Sequence, residues 1–136
     1  MIDNTNFQVI ALAIIFDPAE RKILIGRREN DYQIPALTWG FPSARLLHGE
    51  DIDKKLKGRI KDKTGYEVKN LGAVFGRISP SKEDLFQVFF LCEIFKGKAK
   101  VGDDLVELKW VRPQEIEDYF TTPFHPVLKE YINNLK

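Results

Sequence analysis

The chain has 136 residues, of which 43% are hydrophobic and 30% are charged, and its formal net charge at pH 7 is +1. This length predicts one domain, residues 1–136, that buries a proper hydrophobic core. A net charge so close to zero argues against nucleic acid or an anionic membrane as the main partner. The single cysteine, Cys92, excludes an internal disulfide and is compatible with a reducing cytoplasm.

Signals for export or membrane insertion are not evident in the sequence. The first residues, MIDNTNFQ, carry no basic side chain, and the longest apolar run, residues 9–16, is too short to span a bilayer. We therefore expect a cytoplasmic protein without a targeting signal.

Two strands are predicted at the start of the chain. Residues 7–16 are almost continuously hydrophobic and rich in β-branched side chains, which is typical of a strand buried on both faces. Residues 17–19 supply a turn, and residues 22–27 form a second strand, so the two strands make a hairpin. Arg27 and Arg28 close this hairpin, where charged side chains discourage association between sheet edges.

A loop and then a helix are predicted next. Residues 29–37 are polar, and Gly40, Pro42 and Gly49 punctuate the segment that follows, so the whole stretch is expected to be a loop with a sharp turn. Asp51 is a suitable N-cap, and Gly65 stands where a left-handed C-terminal cap is expected. These signals together predict a helix from about residue 51 to residue 64.

The predicted helix has one apolar stripe and one charged face. Ile52, Leu56 and Ile60 recur every four residues, which allows the helix to dock on a sheet. The neighbouring face carries three charged residues, which are Arg59, Asp62 and Lys63. On an arbitrary helix such a face is simply solvated, with weak ion pairs one turn apart.

Aromatic and histidine side chains lie before the helix. Tyr32, Trp39 and Phe41 are suited either to core packing or to stacking on a nucleobase. His48 is suited to contact a phosphate or to act as a base, although a single loop histidine is more often solvated.

The second half of the chain predicts three strands and two helices. The strands are expected at residues 70–77, 85–95 and 106–111, and the helices at residues 113–119 and 126–135. Cys92 lies inside the strongest apolar run and is therefore predicted to be a buried, inert thiol. His125 has no partner that the sequence indicates. This order of elements predicts an α/β fold, an α/β/α sandwich with a mixed β-sheet.

The segment WGFPSARLLHGEDIDKKLKGRIKDKTGY, residues 39–66, resembles the box of the Nudix hydrolases, GX5EX7REUXEEXGU, in which U is aliphatic. Ala44 stands at the first glycine of the box, Glu50 at its first glutamate and Gly65 at its last glycine, so the spacing fits without a gap. The charges differ, because the six positions of REUXEE are occupied here by Gly58, Arg59, Ile60, Lys61, Asp62 and Lys63. The resemblance implies a Nudix-like fold over almost the whole chain and a degenerate box.

The resemblance also raises the question of whether this chain binds a divalent metal ion. In the family, glutamates at the positions of Arg59 and Lys63 hold Mg²⁺ or Mn²⁺, which bridges the substrate phosphates. A divalent ion about 6 Å from one ammonium is repelled by roughly 5 kcal/mol at an effective dielectric constant of about 20. Glu50 and Asp62 would offset only part of that repulsion.

Our leading hypothesis is that the chain binds a nucleoside diphosphate-linked small molecule with weak or no hydrolysis. Arg59 and Lys63 would then neutralise the diphosphate in place of metal. The resemblance implies further ligand contacts from four residues, which are Arg27, Arg28, Trp39 and Phe41.

Two alternatives remain open. The first is an active hydrolase whose Mg²⁺ or Mn²⁺ is held by Glu50, Asp62 and a carboxylate outside the box such as Asp53, Asp104 or Glu107, with Glu50, Asp62 and Glu107 as catalytic residues. The second is a regulatory or protein-interaction module with a vestigial cleft. Because members of the family are often dimers, a homodimer is also compatible with the resemblance.

Overall fold

A computed structural model describes residues 8–28, 39–80, 82–120 and 124–135 of the chain. The predicted loop at residues 29–37, with Tyr32, lies outside these residues. Within them the chain forms seven strands, namely β1 (Gln8–Asp17), β2 (Lys22–Arg28), β3 (Trp39–Gly40), β4 (Ser43–Leu46), β5 (Tyr66–Ser79), β6 (Lys82–Gly97) and β7 (Leu105–Val111).

The seven strands form one mixed sheet around β1. The order is β3-β2-β1-β6-β5, with β4 also beside β1 and β7 beside β2. β1 is antiparallel to β2 and β4 but parallel to β6, so that Ile10 lies opposite Gln87. The predicted mixed α/β sheet is therefore confirmed.

Three helices accompany the sheet in the described residues: α1 (Ile52–Thr64), α2 (Ile116–Tyr119), which follows a short 3₁₀ turn at Pro113–Glu115, and α3 (Pro126–Asn133). The side chain of Asp51 accepts a hydrogen bond from the Lys54 amide at 3.0 Å, and Gly65 ends α1 with a φ of 80°. Local capping thus defines both ends of α1, as predicted. None of these helices is long and apolar enough to cross a membrane.

The helices cover opposite faces of the sheet. Leu56 and Ile60 of α1 are fully buried in one cluster with the β1 residues Ala11, Ala13 and Ile15. On the other face Ile116, Leu128 and Ile132 of α2 and α3 pack in a second cluster with Ile14, Phe16, Ile23 and Ile25. Each aliphatic side chain buried in this way contributes about 1.5–3 kcal/mol. Ile52 is 39% exposed, so the buried stripe of α1 begins one turn later than predicted.

The segment before α1 differs from the prediction. It contains the two short strands β3 and β4 rather than a continuous loop. Gly26 of β2 lies opposite Gly40, and Ala11 of β1 lies opposite Ala44, so the pairing comes from residues distant in sequence. β5 and β6 also extend beyond their predicted ends, because hairpin pairing carries their polar ends into the sheet.

Residues 98–104, which we call the cap loop, lie against the C-terminal end of α1. The amide of Lys100 donates to the Thr64 carbonyl at 2.8 Å, and the amide of Gly102 donates to the Lys63 carbonyl at 3.1 Å. The cap loop lies so close to α1 that residue 102 must be a glycine, since an added Cβ would lie 2.2 Å from the carbonyl oxygen of Asp62. The cap loop therefore satisfies carbonyls that the helix end leaves unpaired.

The glycine inside α1 gives a direct test of helix energetics. Nothing lies within 4 Å of a Cβ added to Gly58. We expect Gly58→Ala to raise the free energy of unfolding by about 1 kcal/mol, because alanine loses less backbone entropy in a helix. Urea denaturation measures this change. Gly65→Ala is the control and should lower stability, because φ is +80° there and the added Cβ would lie 2.2 Å from the Lys98 carbonyl oxygen. Unchanged stability in Gly58→Ala would contradict the expectation.

Candidate functional site

Two cations on α1 are paired with carboxylates of the cap loop. The guanidinium of Arg59 pairs with Asp103 and also lies 3.4 Å from the Asp62 carboxylate. The Lys63 Nζ lies 3.5 Å from Oδ1 of Asp104, and its side chain is only 8% exposed. Lys63 is thus buried at the helix end that the cap loop covers, rather than on a solvated face.

The environment of Lys63 acts on its charge in two directions. Burial lowers the pKa of the Lys63 ammonium below its ordinary value, and the positive charges of Arg59 and Arg28 act in the same sense. Asp104 opposes this effect, because its negative charge favours the protonated amine. A bound anion beside Lys63 would act in the same direction as Asp104.

The predicted metal and catalytic carboxylates are engaged with cations. Glu50 accepts hydrogen bonds from the Leu47 amide at 2.6 Å and from Lys55 Nζ at 2.9 Å. These bonds, the one from Lys55 first, hold the pKa of Glu50 below its usual value. On the sheet, Glu107 accepts from Nε of Arg27 at 3.0 Å. Glu50 thus closes the turn before α1, and Glu107 joins β7 to β2.

These pairings decide how well a Nudix-type metal would fit. Asp62 and Asp104 pair with the α1 cations, and Asp53 pairs with Lys57 at 3.0 Å. Across the described ranges, no group of three or more His, Cys, Asp or Glu side chains is arranged to hold a metal ion. The part of the chain that the structure describes therefore does not fit the Mg²⁺ or Mn²⁺ that the resemblance implies, and we derive no step through a metal.

A cleft of about 180 Å³ is lined by Leu12, Phe89 and Leu128 on the face of the sheet that carries α3, and its lining extends to Lys63 at the end of α1. Its wall is apolar and aromatic, with Leu12, Phe41, Phe89, Phe120 and Phe124 among the lining residues. Five lining side chains are cationic, and they are Arg28, Arg45, Lys63, Arg77 and Lys82. None of the described lining residues is an aspartate or a glutamate. An anion with an apolar or planar group matches this combination.

The aromatic residues of the box contribute to the cleft wall and to packing at once. The ring of Trp39 meets Tyr119 edge-on at 5.6 Å, and that of Phe41 meets Phe120 edge-on at 5.0 Å. Phe41 is only 7% exposed. These contacts fix both rings, and each still lines the cleft.

Comparison with known proteins identifies the family. The family model described as the NUDIX domain matches residues 6–135. The chain belongs to the Nudix family. No curated protein sequence matches it.

Solved Nudix structures share this fold at low sequence identity. A NUDIX hydrolase from Nitrosomonas europaea is 19% identical with a TM-score of 0.75, and the match covers 97% of this chain and 73% of that one. A MutT structure described for Aliivibrio salmonicida and Vibrio cholerae is 17% identical with a TM-score of 0.72, and the match covers 95% of this chain and 98% of that one. An ADP-ribose pyrophosphatase from Streptococcus suis is 17% identical with a TM-score of 0.66, and the match covers 93% of this chain and 89% of that one. These likenesses establish the fold.

The Nudix cleft brings together only part of the predicted ligand contacts. Arg28, Trp39, Phe41 and Lys63 line it. The other two predicted contacts, Arg27 and Arg59, are outside its described lining and pair with carboxylates. The predicted catalytic and metal residues Glu50, Asp62, Asp104 and Glu107 are also outside the described lining, and each of them pairs with a cation. The roles assigned to all these residues stay predictions.

Three of the cleft cations are not indicated by the sequence. Arg45, Arg77 and Lys82 come from β4, β5 and β6 and carry no motif. One signal was available, because Gln87 is a lone polar residue between Leu85 and Phe89 on one face of an otherwise apolar strand. Such a residue indicates that the face does not pack entirely into a core.

The histidines and the cysteine do not line the cleft. Cys92 is 1% exposed, and burial raises the pKa of its thiol to about 12, so the thiol stays protonated. Nδ1 of His125 accepts from the Val127 amide at 3.1 Å and caps α3, which is the partner that the sequence did not reveal. His48 is exposed between β4 and α1.

Proposed function

We propose that this Nudix-family protein binds a nucleoside diphosphate-linked small molecule directly through the cations of its cleft, with weak or no hydrolysis. The observation that carries the proposal is the described lining, which has five cationic side chains and no carboxylate. Lys63 is the central residue, because it lies on the box helix at a position where the family uses a metal-binding glutamate.

The electrostatics of the cleft support metal-independent binding. A hydrogen bond between a cationic side chain and a phosphate oxygen is worth about 1.5–3 kcal/mol, and arginine can make two such bonds in parallel. Lys63 is buried, so less solvent screens its charge than screens a surface lysine. A divalent ion bound beside it would be repelled by the same charge.

Two observations support a nucleotide as the ligand, namely the fold and the aromatic wall of the cleft. One structural neighbour is named an ADP-ribose pyrophosphatase, so this fold accommodates such a ligand in at least one protein. Trp39 and Phe41 offer planar surfaces in this chain, and stacking of a base on an aromatic ring is worth about 1–3 kcal/mol. ADP-ribose is therefore the first probe to use.

The test is a pair of titrations with ADP-ribose and UDP-glucose, one in EDTA and one in Mg²⁺. We expect saturable binding by calorimetry, with dissociation constants that agree within about twofold between the two conditions. Lys63→Gln should weaken binding about tenfold, because it removes one charge-assisted hydrogen bond. Lys61→Gln is the matched control, since Lys61 is on the same helix, is 62% exposed and lies outside the described lining.

Hydrolysis is followed in the same samples at high protein concentration. Turnover that EDTA abolishes would overturn the proposal, because carboxylates such as Glu50, Asp62, Asp104 or Glu107 would then complete a metal site. Failure of every probe to bind would instead favour a protein-interaction module with a vestigial cleft. We further predict a cytoplasmic location, and a homodimer is compatible with the proposal.

A further inference from the structure

Gln87 of β6 lines the cleft between strands β1 and β5. It lies directly opposite Ile10 of β1 and Arg77 of β5, and both of these residues line the cleft as well. Its neighbours on the same face of β6, Leu85 and Phe89, also belong to the lining. Gln87 is the only asparagine or glutamine among the described lining residues. Its amide therefore stands among apolar side chains on the cleft face of β6.

Arg77 fixes the orientation of this amide. Nε of Arg77 donates to Oε1 of Gln87 at 2.8 Å, and the bond is partly buried. The guanidinium carbon also lies 6.0 Å from the centre of the Phe89 ring, which restrains the arginine side chain. A guanidinium has donors only, so turning the amide over would place donor against donor. The oxygen of the amide is therefore held at Arg77, and its NH₂ group points away from that residue.

The amide nitrogen Nε2 of Gln87 is accessible to a ligand. In the ranges that the structure describes, every buried side-chain nitrogen or oxygen has a hydrogen-bond partner. The hydrogen bond from Arg77 is the only one that the Gln87 side chain makes with another described residue, and it uses the oxygen. Nε2 is therefore not buried. Because Gln87 lines the cleft, the two N–H groups of Nε2 can donate to a molecule bound there.

The other polar side chains of the described lining are mainly donors too. The five cations donate only, as does the indole N–H of Trp39, whereas the hydroxyl groups of Ser43 and Ser79 can also accept. A ligand group that faces Nε2 of Gln87 must therefore supply an acceptor. A ligand group that is itself a donor would leave both groups unpaired, and an unpaired polar group away from water weakens binding.

We propose that Gln87, oriented by Arg77, is a specificity-determining residue that selects a ligand with a carbonyl oxygen, rather than an amino group, facing its Nε2. In the nucleotide ligand proposed above, this group belongs to the base. Uracil and hypoxanthine carry an oxo group where cytosine and adenine carry an amino group. The inference rests on the proposed function and concerns the part of the ligand that the phosphate-binding cations do not contact.

Two isosteric ligand pairs test this inference. UDP-glucose has an oxo group where CDP-glucose has an amino group, and inosine diphosphate ribose differs from ADP-ribose in the same way. In EDTA, calorimetry should show the oxo ligand binding about tenfold more tightly in at least one pair, because the amino ligand places donor against donor. Ratios within twofold in both pairs would overturn the inference, while saturable binding of UDP-glucose would leave the proposed function intact. If no probe binds at all, the proposed function fails together with this inference.

Gln87→Glu should reverse the preference, which a merely structural role of Gln87 would not do. A carboxylate at residue 87 still accepts from Arg77, but it presents an acceptor to the cleft where the amide presents donors. The added negative charge weakens binding of both ligands in a pair, so the ratio of their dissociation constants is the quantity to compare. Gln114→Glu is the matched control, since Gln114 is exposed and lies outside the described lining. It should keep the ratio of the unsubstituted chain.

Gln87→Met is a second variant that keeps the length of the side chain but removes its hydrogen-bonding groups. We expect its ratios to fall to within about twofold in both pairs. Urea denaturation shows whether each variant is folded, and either variant alone is sufficient for the test. A preference for the oxo ligand that both variants retain in full would refute the role of Gln87.

Discussion

Arg59→Glu combined with Lys63→Glu is expected to create a site for Mn²⁺ at the end of α1. Both substitutions restore the residue type that the family has at these box positions. They would also place two new carboxylates beside Asp103 and Asp104, which contact the present cations. Hard divalent ions bind such clusters of carboxylate oxygens.

The double substitution should have opposite effects with and without metal. Without metal the free energy of unfolding should fall by about 2–4 kcal/mol, because like charges replace two ion pairs and the Lys63 partner of one pair is buried. Bound metal stabilises only the folded chain, by about 2.7 kcal/mol at a concentration of 100 times the dissociation constant. The melting temperature of the double variant should therefore rise with Mn²⁺, and that of the unsubstituted chain should not.

Arg59→Gln combined with Lys63→Gln is the matched control for this experiment. It removes the same two cations but adds no carboxylate, so Mn²⁺ should leave its melting temperature unchanged. Electron paramagnetic resonance of free Mn²⁺ measures binding directly. If the double glutamate variant takes up no Mn²⁺, then this helix face does not correspond to the metal site of the family.

Gly102→Ala is expected to lower the free energy of unfolding by about 3 kcal/mol. The new Cβ would lie 2.2 Å from the Asp62 carbonyl oxygen, which is backbone and cannot move aside cheaply. The cap loop must therefore shift, which weakens the hydrogen bond from Gly102 to Lys63 and the neighbouring one from Lys100 to Thr64. Steric strain of this kind belongs to the largest class of single-residue effects.

Urea denaturation measures the free energy of unfolding of Gly102→Ala and of Gly58→Ala. One substitution is in the cap loop and the other is in α1, which the cap loop contacts. The two substitutions add the same methyl group, but nothing lies within 4 Å of the Cβ at residue 58. We expect the two changes to have opposite signs. A loss below about 1 kcal/mol in Gly102→Ala would show that the cap loop is not anchored by this contact.

The elements that the sequence predicted well are those specified by nearby residues. Asp51 and Gly65 determine the ends of α1 through bonds within four residues, and both caps were predicted. The hydrophobic run of β1 likewise indicates burial without reference to other segments. The family motif also predicted the fold, because the spacing of the motif is preserved from Ala44 to Gly65 even though its charges are not.

The features that could not be predicted depend on pairing between distant segments. β3 and β4 exist through pairing with β2 and β1 and have no periodic pattern of their own. The burial of Lys63, but not of Lys61 two residues before it, depends on a cap loop about forty residues further along the chain. Asp103, with a φ of 57°, reaches Arg59 only because that loop turns back on the helix.

The parallel pairing of β1 with β6 has a consequence for the biosynthesis of the protein. The first described strand cannot complete the sheet until Gln87 and its neighbours have been synthesised to lie opposite Ile10. Leu128 and Ile132 cover the second core cluster only after about forty further residues have been synthesised. A fold that depends on contacts so distant in sequence forms slowly, and its early segments stay exposed to aggregation on the ribosome. Because Leu128 also lines the cleft, a ligand can stabilise the folded chain but cannot guide the nascent one.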